Sequence, residues 1–339
     1  MKEYKVLLLG TGFWGKRWIN IIKNNERTCL AGVACGITNH EEIETLTGLN
    51  ADCVFTDYAE AIENTDADIM VNVLPAELHF QADRLAMEKG MHIIAEKPLV
   101  KTEEEALKLI EIQEKTKRFF MVSQNYRWRP HNMAIKKALD DNLIGSLESI
   151  QLTFRRREDL QGYRKDLEYP LINDMLIHHV DLLRYFAGSD GKEIRAKAWR
   201  PSWSLYSGQP ATDAMITMEN GVQVSYVGTW AARGMETSWD GDIVLNGKKG
   251  CITLDADNVV NFYTAEEEKA EVLDTGKQKP KRIENIVMEY TETDYGLQHF
   301  ISCLDEGKTP ITTLKDNYKS FAIVLACEKA AKTGETIII

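Results

Sequence analysis

A glycine-rich turn lodged between an apolar strand and a helix limits this chain more than any other stretch. Residues 5–9, Lys-Val-Leu-Leu-Leu, read as a short buried strand. Gly10-Thr11-Gly12-Phe13-Trp14-Gly15 follows, and residues 16–22 have the spacing of a helix. By itself Gly-x-Gly-x-x-Gly is an ordinary turn, but between a strand and a helix it predicts a dinucleotide site. The first glycine makes the turn tight, the second admits a pyrophosphate, and the third lets helix and strand pack closely. Backbone N–H groups at the helix start then face the anion.

The alternation continues. Residues 29–35 read as a second strand, and Asn39 with Glu42 has the pattern of a capping box before a short helix. Asp57 with Glu60 repeats it. Residues 68–74 form an apolar strand stopped by Pro75, and the next helix is expected to close near Lys89 with Gly90 beyond it. Residues 91–95 are another buried run, ending in Glu96-Lys97-Pro98. Thr102 and Glu105 open a helix to about Lys117, and residues 119–122 close the series. Strands and helices in this order predict a doubly wound parallel sheet over residues 1–123.

At 339 residues two domains are expected. A net charge of −11 argues against nucleic acid, and Arg155-Arg156-Arg157 runs directly into Glu158 and Asp159. The six cysteines are scattered with no Cys-x-x-Cys pair, which suits buried thiols in a reducing compartment. No apolar run reaches membrane-spanning length, and the first residues leave no room for a signal peptide, so a cytoplasmic protein is expected.

The end of the second strand departs from the common NAD pattern. An acid that would hold the adenosine ribose is absent from residues 34–40, and no Lys or Arg occurs between Arg27 and Arg84 to pair with a 2′-phosphate. Thr38 and Asn39 are the candidate ribose donors. The cofactor is expected to be NAD or NADP, with a lean to NAD.

Residues 173–186 carry Asp174, His178 and Asp181 at offsets that share one helix face. The helix is apolar nearly all round, so these polar groups should be paired or used. A satisfied network with Asp181 on Arg184 is one reading, and a metal site is another. For hydride chemistry the set offers a carboxylate that orients an imidazole able to accept a proton. Lys97 alone is more often a solvated strand end.

These residues together resemble the Gfo/Idh/MocA oxidoreductases (glucose-fructose oxidoreductase, inositol dehydrogenase and relatives). The likeness rests on the glycine turn, Glu96-Lys97-Pro98, Asp174-x-x-x-His178-x-x-Asp181, Asn125-Tyr126-Arg127-Trp128-Arg129-Pro130, Gly162-Tyr163-Arg164, Gly307-Lys308-Thr309-Pro310 and Thr333-Gly334. It spans essentially the whole chain. It implies that Lys97, Asp174 and His178 are catalytic, with no metal, and that the bond before Pro98 is cis. It further implies that Gly10, Gly12, Phe13, Trp14, Gly15, Leu74, Pro75, Glu77, His79, Glu96, Lys97 and Asn125 border the cofactor. Asp181 and Tyr126 are implied near substrate. Relatives often carry glycines before the catalytic helix, whereas this chain has Pro170-Leu171-Ile172-Asn173. The expected activity is hydride transfer between nicotinamide C4 and a secondary alcohol or ketone of a sugar, inositol or related polyol. His178 serves as base, with Lys97 polarising the same oxygen. An NAD-dependent glycosidase or lyase with transient oxidation is one alternative. A non-enzymatic dinucleotide-sensing regulator is another.

Residues 124–339 are expected to form the second domain. Strand-like runs at 147–157, 193–203, 211–218, 222–231, 241–246 and 250–264 predict a large, mostly antiparallel open sheet, with Asn220-Gly221 marking a hairpin. Helices should cover one face; the resemblance assigns the other to a second subunit, giving a homodimer or homotetramer. Arg127 and Arg164 are the candidate directional donors for a hydroxyl-rich or acidic substrate. Trp128, Trp199, Trp203, Trp230 and Trp239 are more often core or interface than ligands. Residues 266–292 read as an exposed excursion. Helices are expected at 294–304 and 316–332, the latter packing near the domain junction, and residues 336–339 as a closing strand.

Overall fold

The computed structural model describes residues 2–36, 40–159, 162–265 and 279–339. The chain divides into two compact units, Met1–Asn125 with Glu292–Tyr318, and Tyr126–Thr291 with Lys319–Ile339.

The first unit runs β1 (Tyr4–Leu9), α1 (Phe13–Asn24), β2 (Thr28–Ala34), α2 (His40–Thr47), β3 (Val54–Phe55), α3 (Tyr58–Asn64), β4 (Ile69–Asn72), α4 (Ala76–Lys89), β5 (His92–Ala95), α5 (Glu103–Thr116) and β6 (Phe120–Val122). The strands form a six-stranded sheet in the order β3-β2-β1-β4-β5-β6. Each neighbouring pair is parallel. Val6–Leu9, Ile69–Val71 and Ile93–Ala95 are buried almost completely, as strands covered on both faces must be. Local chemistry sets the helix ends. Asp57 accepts from the Ala59 and Glu60 amides, Thr102 and Glu105 make a reciprocal capping box, and Gly90 ends α4 at φ 101°.

The second unit contains α6 (Pro130–Asp140), β7 (Leu147–Arg155), α7 (Leu176–Ala187), β8 (Gly191–Trp199), β9 (Ala211–Met218), β10 (Gln223–Thr229), β11 (Asp242–Gly247), β12 (Gly250–Leu254), β13 (Val260–Thr264) and β14 (Lys281–Ile283). Further along the chain come α8 (Glu292–Glu306), α9 (Leu314–Thr333) and β15 (Ile337–Ile338). Among the described residues nine strands make one sheet, ordered β14-β13-β12-β11-β7-β10-β9-β8-β15. Only the central β7–β10 pair is parallel in it. Ile150, Leu152, Phe154, Val224, Tyr226, Ile243 and Leu245 alternate with more exposed neighbours, so one face is core. Met215, Val227 and Trp199 lie on exposed positions of β9, β10 and β8.

Three expectations change. The run 250–264 is two strands, because Asp255 accepts from the Asp257 and Val259 amides and turns the chain at Asn258, whose φ is 58°. Residues 281–283 of the expected excursion pair with β13, and residues 266–278 lie outside the described set. Contacts also group Glu292–Tyr318 with the first unit, which the strand pattern assigned to the second. Thr312 hydrogen-bonds along β6 through the Val122 amide (2.8 Å) and carbonyl (2.7 Å), and Asp305 receives Arg27 and Tyr4. No helix of the described residues is long and apolar enough to cross a membrane.

Candidate active site

In the first unit the site is built at the end of β1. Gly10 has φ 92°, and a Cβ there would sit 2.7 Å from the Val73 carbonyl oxygen. A Cβ on Gly15 would lie 2.1 Å from the Gly10 carbonyl oxygen, so helix and turn touch. Around a Cβ on Gly12, by contrast, nothing lies within 4 Å. Gly12 is also the N-cap of α1 and brings no side-chain acceptor to its first turn. Open space against uncapped helix N–H groups fits a dinucleotide pyrophosphate. Phe13 is 81% exposed at the start of α1, and Trp14 packs edge-on to it with Arg17 over its ring.

The other expected cofactor residues fall into two kinds. Some hold the strand ends together. Asn72 joins its carbonyl oxygen to the Leu74 amide and its NH₂ to buried Asp83. Burial lifts the Asp83 carboxyl from its usual 3.8 to about 8. His79, fully buried, places Nε2 2.8 Å from the Leu74 carbonyl and Nδ1 3.2 Å from the Leu99 carbonyl. It ties the β4–α4 turn to the segment after β5. Pro75 starts α4, and Glu77 is a surface partner of Lys101 at 2.8 Å. Others stand at the strand mouths. Lys97 follows β5 in a cis peptide with Pro98, half-buried. Glu96 accepts from the Trp18 indole at 3.0 Å, which links α1 to the end of β5. Burial raises the Glu96 carboxyl, against the Trp18 bond and the neighbouring Lys97 charge. Asn125 is buried in the short turn after β6. Thr38 and Asn39 lie outside the described residues.

In the second unit the helix around Asp174 does not start as a regular α-helix. Leu171–Met175 form a wider π turn, and α7 begins at Leu176. The even spacing expected of Asp174, His178 and Asp181 is broken there, and their partners differ. Asp174 faces Arg164 at 3.7 Å. His178 stacks on Tyr126, ring centroids 4.4 Å apart and 12° from parallel. Asp181 accepts Arg127 through both oxygens, at 2.6 and 2.7 Å, and the Ser320 hydroxyl at 3.0 Å. Arg184 reaches Asp181 only at 4.0 Å and is held by Asp190 at 2.7 Å. Among the described residues no group of three His, Cys, Asp or Glu side chains is placed to hold a metal ion.

Two residues assigned to substrate therefore face each other. Arg127 and Asp181 are 6% and 1% exposed and make one bidentate buried pair. Arg164 is 38% exposed at its side chain and lies beside Asp174, where a polar ligand can reach it.

Sequence reasoning missed a buried network. Asp240, 1% exposed, receives Arg129 at 2.6 Å and Asn132 at 2.5 Å, with His131 Nε2 3.2 Å away. Burial opposes its charge, yet His131 and Arg129 outweigh that and hold its carboxyl at about 2. His179 donates from Nε2 to the Trp239 carbonyl and accepts the Tyr226 hydroxyl at Nδ1, both 3.0 Å. Burial lowers its ring to about 4, so it stays neutral and structural. Asp240 stands outside every motif in the sequence, which hides a buried carboxylate. The signal lay in Arg129, already part of the run quoted above.

A parallel sheet with a glycine cradle at its first strand defines a dinucleotide-binding domain. Residues 4–124 match the oxidoreductase family with an NAD-binding Rossmann fold, and residues 132–253 match the GFO/IDH/MocA C-terminal domain. The chain belongs to the Gfo/Idh/MocA oxidoreductases. It is 25% identical over 356 residues to the D-apiose dehydrogenase of Paraburkholderia graminis, covering 99% of this chain and 90% of that one. It is 23% identical over 334 residues to the inositol 2-dehydrogenase of Rhizobium meliloti, covering 98% of each. An oxidoreductase from Agrobacterium radiobacter, solved with NAD+, L-tartaric acid and magnesium, shares the fold at TM-score 0.86 and 20% identity, covering 99% of this chain and 98% of that one.

Proposed function

We propose that this chain is a dehydrogenase that oxidises a secondary hydroxyl of a sugar, inositol or related polyol, with NAD preferred over NADP. The bound nicotinamide dinucleotide supplies the hydride acceptor. His178 takes the hydroxyl proton, and Lys97 polarises the same oxygen and shares that proton. Asp174 and Arg164 present a charged pair to a hydroxyl-rich substrate. The observation that carries this reading is the imidazole of His178, held flat against the Tyr126 ring on the helix that also carries Asp181. The NAD preference rests on the absence of any Lys or Arg between Arg27 and Arg84, where a 2′-phosphate would need one. We also assign the open face of the nine-stranded sheet to a homodimer or homotetramer contact, since it exposes Met215 at 66% and Val227 at 41%.

The test uses myo-inositol, D-apiose and levoglucosan with the wild type, Lys97→Ala and His178→Ala. Both variants should lose turnover by about 100-fold or more while still binding NAD. If both keep near wild-type rates on a polyol that the parent oxidises, the roles given to Lys97 and His178 are wrong.

A further inference from the structure

The imidazole of His178 lies against the ring of Tyr126, and that ring carries a second partner. The Arg129 guanidinium carbon is 3.5 Å from the Tyr126 centroid. A guanidinium that close to one face leaves no room there for another ring centred 4.4 Å away, so Arg129 and His178 cover opposite faces. Arg129 is itself fixed by Asp240 at 2.6 Å, and Asp240 is held by Asn132 and contacted by His131. The backbone is tied as well. The Tyr126 carbonyl accepts the Arg129 amide at 3.2 Å and the Asn132 side chain at 2.9 Å. Tyr126 is 6% exposed, so its broad faces are occupied by protein rather than open to a ligand.

We propose that Tyr126 is a positioning residue for His178, with Arg129 and Asp240 bracing its far face, and not a substrate-binding residue. The stack sets the plane of the imidazole and hence the direction of its proton-accepting nitrogen. Such orientation matters for proton transfer, because a group displaced by about 1 Å can cost about 100-fold in rate. Asp240 thereby bears on His178 from 62 positions further along the chain, without touching the reacting atoms. The inference rests on the reading of His178 as the base.

Two measurements test it on the full-length protein. The first needs no substrate. With ¹³C-labelled histidine, the His178 ring proton signal, assigned by its loss in His178→Gln, should show the upfield ring-current shift of a stacked aromatic. Tyr126→Phe should keep that shift, and Tyr126→Leu should abolish it. The second uses whichever of myo-inositol, D-apiose and levoglucosan the wild type oxidises. Tyr126→Leu should lower kcat about 10- to 100-fold with KM for polyol and NAD little changed, while Tyr126→Phe keeps wild-type kcat. Should Tyr126→Leu not fold, Tyr126→Met refills the ring's volume, and Asp240→Asn loosens the brace from the other side. A raised polyol KM in Tyr126→Phe would show the hydroxyl on substrate and overturn the proposal. So would wild-type kcat in the folded variants that lose the ring or the brace. If His178→Ala is inactive and Tyr126→Leu is normal, the positioning role alone fails; if His178→Ala is active, the reading beneath it fails.

Discussion

The carboxylate of Asp181 shows how a residue's partners, more than its type, decide its work. A polar group on the same helix as the candidate base invites a role at the substrate, yet Asp181 is buried and grips Arg127 with both oxygens. Arg127→Ala would leave that charge with the Ser320 hydroxyl and a distant Arg184. Removing one member of a buried pair costs about 3–5 kcal/mol. Urea unfolding of Arg127→Ala should show a loss of that order, and an unchanged midpoint would return Arg127 to the list of substrate donors. The distinction could not be read from the chain alone. Asp174, His178 and Asp181 stand in a regular series, and only the π turn at Leu171–Met175 and a partner 54 positions away separate their roles.

At the scale of elements, close approach and burial make sharper demands than propensity. The contact of α1 with the β1 turn leaves no space at Gly15, where a Cβ would fall 2.1 Å from a carbonyl oxygen. Gly15→Ala must push the helix away from the turn and spoil the cradle at Gly12. Isothermal titration with NAD should show at least about a 10-fold weaker Kd. Wild-type affinity would mean the turn is not where the pyrophosphate lies. Helix α4 carries a pH signature. The unfolded chain releases the Asp83 proton near the usual 3.8, while the folded chain keeps it to about 8. The unfolded state then binds fewer protons in that window, so this group's contribution to stability falls as pH rises from about 4 to about 8. Asp83→Asn cannot titrate, and its unfolding free energy should vary less steeply with pH there than the parent's. Equal slopes would place the titration elsewhere. Elements of this kind were readable in advance because their signals are local: Thr102 with Glu105, Pro75 after a strand, Gly90 after a helix. The turn at Asp255–Asn258 was also local, but it lay inside a run of strand-forming residues that concealed it.

For the whole molecule, what the sequence concealed is contact between distant segments. Glu292–Tyr318 joins the first unit through Thr312 on β6 and Asp305 on Arg27 and Tyr4, pairings as far as 301 positions apart. No periodicity within 292–318 announces that. In the large sheet burial alternates along β9 and β10, which leaves Met215 and Val227 facing outward. Charge placed on that face should break an assembly that uses it. Met215→Asp with Val227→Lys should sediment as a smaller species than the wild type while keeping its circular dichroism. If both sediment alike as monomers, the sheet face is not the subunit contact.

The measurement that bears most directly on the whole account is the absorbance of reduced nicotinamide when the wild-type protein meets myo-inositol, D-apiose and levoglucosan, with NAD and NADP supplied separately. The account predicts steady net reduction with at least one polyol, faster with NAD, and none in His178→Ala. Release of product with no net reduced cofactor, or equal rates in His178→Ala, would contradict it.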